Sequence, residues 1–90
     1  MKEIQTFTEF QLTRLKQLDE GIKNVNHFER MMDTYKTGIL FIGGSEDGEV
    51  SVDRETIKIM KGGISGIYRE LRSEGLGEEA EFVIYQNKFA

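Results

Sequence analysis

Three glycines and their polar neighbours form the segment of this chain that is best suited to hold another molecule. The segment reads Lys61-Gly62-Gly63-Ile64-Ser65-Gly66. Backbone without side chains lets a ligand or another chain approach closely, and free N–H groups at a helix start bind anions. Lys61 and Arg69 add positive charge, and Ser65 adds a hydroxyl. A small anionic ligand such as a nucleotide would therefore be held by Lys61, Gly62, Gly63, Ser65, Gly66 and Arg69.

The glycines interrupt an amphipathic helix pattern, and the course of that helix decides what they do. Apolar residues recur at spacings of three and four on both sides of them, at Ile57, Met60, Ile64, Ile67 and Leu71. Each glycine in a helix interior costs about 1 kcal/mol relative to Ala. A continuous helix over 54–74 would place the glycines opposite the apolar stripe, as a contact surface for a partner. A helix broken at Gly62-Gly63 would make them a corner between two helices or an anion-binding nest.

The net charge of −4 lies entirely in the second half of the chain. Residues 1–45 carry six acidic and six basic side chains, whereas residues 46–90 carry ten acidic and six basic ones. This balance disfavours sequence-independent binding to nucleic acid, which needs Lys and Arg to neutralise phosphates. Glu46, Asp47 and Glu49 concentrate negative charge at a predicted turn. We expect these three residues to contact a basic surface of a protein partner.

The chain contains few of the residues that catalysis and metal binding require. It has no Cys and one histidine, His27, which excludes cysteine metal sites and a histidine-rich zinc site within one chain. No local pattern pairs a nucleophile with a base, so we expect neither an enzyme nor a bound cofactor. No stretch reaches the roughly 18 apolar residues of a membrane span, and the first residues lack the features of a signal peptide. These observations predict a cytoplasmic protein that does not enter membranes.

The first part of the chain predicts one long helix. Thr6 and Glu9 fit a capping box, Gly38 suits the other end, and Gly21 is the point where the helix would kink. Apolar residues recur between the ends at Leu15, Leu18, Ile22, Val25, Phe28, Met32 and Tyr35. About 30 helical residues span about 45 Å, so the helix needs a partner helix from the same chain or from a second copy. We expect a homo-oligomer, a dimer or higher, through this helix.

The second part adds strands, which makes the expected fold α+β in a single domain over residues 1–90. Ile39–Ile42 is an apolar run that suits a buried strand, and Asp47-Gly48 is a strong turn signal, so a β-hairpin is predicted over about 39–52. Asp53 would cap the second helical region over 54–74. The β-rich residues Glu81–Tyr85 predict a third strand near the end of the chain.

Small size, concentrated acidic charge and the lack of a cofactor pattern favour a non-enzymatic binding protein. We expect a stoichiometric regulator or inhibitor of a larger protein, of the kind that phages and other mobile elements encode as accessory proteins. The alternative is an oligomeric protein that binds a small anionic ligand through residues 61–66. The sequence leaves both hypotheses open.

Overall fold

A computed structural model describes residues 7–45 and 48–88 of the chain. Their elements, in order, are α1 (Glu9–Tyr35), β1 (Ile39–Ser45), β2 (Gly48–Asp53), α2 (Arg54–Ser73) and α3 (Gly77–Lys88). The protein is mostly helical, with a two-stranded antiparallel hairpin between the long first helix and the two later helices. The predicted α+β class is therefore confirmed.

Helix α1 runs through Gly21 without interruption, but both of its ends differ from the prediction. The hydroxyl of Thr8 accepts a hydrogen bond from the Gln11 N–H at 3.1 Å, and the Gln11 side chain accepts one from the Thr8 N–H at 3.0 Å. This capping box starts two residues later than the expected one, and Glu9 is the first helical residue. At the other end Lys36, not Gly38, takes the left-handed backbone conformation, with φ of 51°. A lysine in this conformation is unusual because its Cβ is crowded there.

The hairpin forms as predicted, but the expectation of a buried first strand is wrong, because Ile39 and Phe41 expose 41% and 66% of their surfaces. The strands alternate between two environments instead. Leu40 pairs with Val52 and both side chains are buried against the helices, whereas Phe41 faces outward. Asp53 ends β2 and caps α2, because its Oδ1 accepts from the backbone N–H and the hydroxyl of Thr56, each at 2.7 Å. These two hydrogen bonds hold the pKa of the Asp53 carboxyl below its ordinary value.

Helix α2 is continuous from Arg54 to Ser73, so the alternative of a break at Gly62-Gly63 is wrong. The helix ends at Ser73, and Gly75, two residues later, takes the left-handed conformation with φ of 82°. The N–H of Leu76 donates to the carbonyl of Leu71 at 2.9 Å, and the N–H of Gly75 donates to the carbonyl of Arg72 at 3.1 Å. This pair of bonds is a Schellman motif, and it turns the chain toward α3.

The predicted strand over Glu81–Tyr85 is wrong, because these residues lie inside α3. Leu76, Ala80 and Val83 follow a helical spacing, and the first two are buried against α1 and α2. Tertiary contacts of this kind override the β preference of a short run of residues.

The apolar stripe of α1 is covered within the chain except at Tyr35, which exposes 68% of its surface. Ion pairs from Arg14 to Glu70 and from Glu29 to Lys61 show that α1 and α2 run antiparallel. One core cluster joins α1, the hairpin and α2 through Val25, Met32, Leu40, Val52 and Ile57. A second joins α1, α2 and α3 through Leu18, Leu71, Leu76 and Ala80. Within the described residues no helix is both long and apolar enough to cross a membrane.

Candidate binding site

The glycine segment lies on the outer face of α2, as a continuous helix requires. A β-carbon placed on Gly62, Gly63 or Gly66 would meet no atom within 4 Å outside the helix's own backbone. In a continuous helix each N–H donates to the carbonyl four residues earlier, so these N–H groups are not free to form an anion nest. Ile59, which the sequence analysis did not single out, lies next to the glycines with 68% of its surface exposed. An isoleucine that lies outside the apolar stripe of a helix is the sequence feature that could have indicated this exposed side chain.

The polar members of this candidate site lie along one flank of α2. Lys61, Ser65 and Arg69 follow each other at four-residue spacing and are exposed. The Nζ atom of Lys61 pairs with Oε2 of Glu29 on α1 at 3.2 Å. Anion binding by this segment therefore stays a prediction that rests on side chains alone.

The acidic turn was the second candidate site. Glu46 and Asp47 lie outside the described residues. The backbone of Glu49 pairs with that of Gly43 in the hairpin, but its side chain also lies outside what the structure describes. The role of these three carboxylates stays a prediction.

A third candidate site is an open groove between the start of α1 and the start of α3. Its volume is about 370 Å³, and it is lined by Phe7, Leu15, Glu78, Glu79, Phe82 and Val83. Four of these residues are apolar, and Phe82 exposes 61% of its surface. The sequence analysis missed this groove, because residues from the two ends of the chain build it.

The two glutamates give the groove an acidic side. Glu78 and Glu79 lie in the first turn of α3, where carboxylates interact favourably with the helix dipole. The Oε2 atom of Glu79 is buried, and it has no hydrogen-bond partner among the described residues. A buried acceptor without a donor is rare in native proteins and costs free energy. Glu79 therefore lines the groove and carries an oxygen atom that is shielded from solvent and lacks a donor.

Polar contacts fix α3 against its neighbours and so fix the shape of the groove. The Nδ2 atom of Asn87 donates to Oδ1 of Asp19 on α1 at 2.8 Å. This bond, with a smaller contribution from Lys23, holds the pKa of the Asp19 carboxyl below its ordinary value. The hydroxyl of Tyr68 on α2 donates to Oε1 of Glu81 at 3.0 Å, which raises the pKa of the tyrosine. One contact joins α3 to α1 and the other joins it to α2, so together they fix the rotation of α3 about its own axis.

Comparison with known proteins gives no further guide to the role of this surface: no family model, no curated protein and no solved structure matches the chain.

Proposed function

We propose that the protein is a non-enzymatic binding module that associates stoichiometrically with another protein through the groove between α1 and α3. The occupant is a segment of that partner that carries apolar side chains beside a Lys or Arg. The observation that supports this proposal is a groove with four apolar residues and two glutamates, one of which, Glu79, has a buried Oε2 atom without a hydrogen-bond partner among the described residues.

The apolar part of the groove supplies affinity. Phe82 is the largest exposed side chain along it, and aromatic side chains often carry most of the binding free energy of an interface. Covering such surface contributes roughly 25 cal/mol per Å² before the costs of association. Phe7 and Leu15 extend this surface onto the start of α1.

The acidic part supplies selectivity. Glu78 and Glu79 both line the groove, so a basic side chain would meet two carboxylates. Because Oε2 of Glu79 is buried, a donor from Lys or Arg reaches it only after the Glu79 side chain changes its rotamer. The hydrogen bond that then forms is of the charged kind, which is worth about 1.5–3 kcal/mol. An acidic partner segment would be repelled, which is how charge arrangement selects among partners.

A small acidic protein of this design is suited to regulate or inhibit a larger protein, and this is the role that we propose. The type is that of phage or mobile-element accessory proteins. The absence of Cys agrees with a reducing, cytoplasmic environment, where we place the protein. Self-association through α1 remains part of the proposal.

Site-specific crosslinking in cells that produce the protein tests this proposal. A photoreactive phenylalanine analogue replaces Phe82, and in a control protein it replaces Phe41 on the hairpin, which is 66% exposed. We expect a single protein adduct from position 82 and not from position 41. Equal adducts from both positions, or none from position 82, would contradict the proposal.

The protein that crosslinks to position 82 is then purified, and binding measurements with it test the role of Glu79. We expect a one-to-one complex by calorimetry, and Glu79→Gln should weaken it by about tenfold or more, because the charged hydrogen bond is lost. Glu55→Gln on α2 removes the same charge from an exposed position and serves as the control. A complex that is equally sensitive to both changes would show that net charge, and not the groove, drives binding.

A further inference from the structure

A second concave surface lies between α1 and the first half of α2, toward the other end of α1 from the groove. It is a cleft of about 150 Å³, lined by Glu29, Arg54, Ile57, Lys58 and Lys61. The three basic residues are spaced by four and three positions, so they share one flank of α2. Ile57 is buried and forms the apolar floor.

The charges of this cleft do not balance. Three cations line it against one carboxylate, that of Glu29. Glu29 Oε2 lies 3.2 Å from Lys61 Nζ, while Arg54 and Lys58 make no ion pair within the described part of the chain. The cleft thus holds an excess of two positive charges at neutral pH.

The neighbouring acidic residues do not cancel this excess inside the cleft. Asp53 directs its Oδ1 to the N–H and the hydroxyl of Thr56, as the cap of α2. Glu55 follows Arg54 in sequence but is not among the residues that line the cleft. The cleft also lies beside the first turns of α2, where the helix dipole adds partial positive charge.

We propose that this cleft binds a doubly charged oxyanion, namely a phosphate monoester. The Arg54 guanidinium offers paired donors to two phosphate oxygens, and the ammonium groups of Lys58 and Lys61 contact the remaining oxygens. Without the anion, the Glu29 carboxylate pairs with the ammonium group of Lys61. Glu29 therefore competes with the anion for Lys61. The site shares Lys61 with the one that the sequence predicted, and Arg54 and Lys58 extend it about one to two turns toward the start of α2. It needs no free N–H of Gly62, Gly63 or Gly66.

A titration followed by nuclear magnetic resonance of the backbone amides tests this inference. The probes are inorganic phosphate, adenosine monophosphate and a short phosphoserine peptide, each at low ionic strength. We expect saturable shifts centred on Arg54, Lys58, Lys61 and Glu29, which weaken as salt is raised. A phosphoserine peptide that binds more tightly than both small molecules would identify a phosphorylated protein as the source of the group, and the reverse order would identify a small metabolite. Absence of saturable shifts at the cleft with all three probes would overturn the inference.

Three variants distinguish specific binding in the cleft from general electrostatic attraction of anions to the protein. Lys58→Gln should weaken binding at least fivefold, and Glu29→Gln should strengthen it about threefold or more, because the competing carboxylate is gone. Lys16→Gln is the matched control, since it makes the same change at an exposed position on α1 outside the cleft. An equal loss from Lys16→Gln and Lys58→Gln would overturn the inference. The unfolding midpoint of each variant is measured alongside, so that any loss of fold is recognised. The groove at Glu79 plays no part in this test.

Discussion

A β-carbon placed on Gly21 of α1 would lie 3.1 Å from Cγ1 of Ile64 on α2. The two antiparallel helices therefore approach closely at this point, and only a residue without a side chain fits without a shift of Ile64. Ile64 packs against both core clusters, so the contact connects the two halves of the core. Gly21 thus has a packing role, which the glycines of α2 lack within the chain.

This difference predicts opposite results for two Gly→Ala changes. Gly63→Ala should raise the free energy of unfolding by about 1 kcal/mol, because alanine is the better helix former and its methyl group meets no atom within 4 Å. Gly21→Ala should give a clearly smaller gain or a loss, since its methyl group would press on Ile64. Urea unfolding of the two variants and the wild type measures both values. A destabilising Gly63→Ala would mean that another molecule covers that face in solution.

The two left-handed positions near helix ends predict a second pair of opposite effects. Lys36 has φ of 51° and Gly75 has φ of 82°. Lys36→Gly should stabilise by about 1 kcal/mol, because glycine adopts this conformation without the steric cost that a side chain brings. Gly75→Ala should destabilise the protein by a similar amount, because the Cβ of alanine is crowded in this conformation. Thermal unfolding of both variants checks the prediction, and two changes of the same sign would contradict it.

Acid should destabilise the protein partly through Asp19. Its pKa is lowered in the folded state, chiefly by the hydrogen bond from Asn87, whereas the unfolded chain has the ordinary value of about 3.9. The resulting stability is present above the unfolded pKa and is lost as the pH falls through the folded one. Asp19→Asn should therefore reduce the loss of stability between about pH 5 and pH 2. Asp33→Asn, an exposed change on the same helix, is the control, and equal pH profiles for the two variants would contradict the prediction.

Local patterns in the sequence were sufficient for the presence of α1, the hairpin and a helical region over 54–74, but not for the continuity of α2 or for α3. The cap at Asp53 is a local feature and is confirmed. The glycine pattern left open whether α2 breaks at Gly62-Gly63, and the structure shows that it does not. Residues 82–85 include Phe, Val, Ile and Tyr, which favour a strand in isolation. They are helical here because Leu76 and Ala80, just before them, are buried against Leu18 and Leu71. The groove depended on the same distant contacts, so no local pattern pointed to it.

Self-association through α1 remains a prediction, and the structure narrows where the second copy would dock. The central stripe of α1 is occupied by α2, α3 and the hairpin, so its exposed apolar side chains lie at its ends, at Phe10, Leu12 and Tyr35. Leu12 is 52% exposed near the start. If the dimer forms there, Leu12→Glu should shift the particle from dimer to monomer, because two like charges would meet across a two-fold axis. Ile59→Glu on α2 is the control and should leave the mass unchanged. Analytical ultracentrifugation over a range of concentrations measures the mass of both variants and of the wild type. A wild-type protein that stays monomeric at every concentration would contradict the prediction of a dimer.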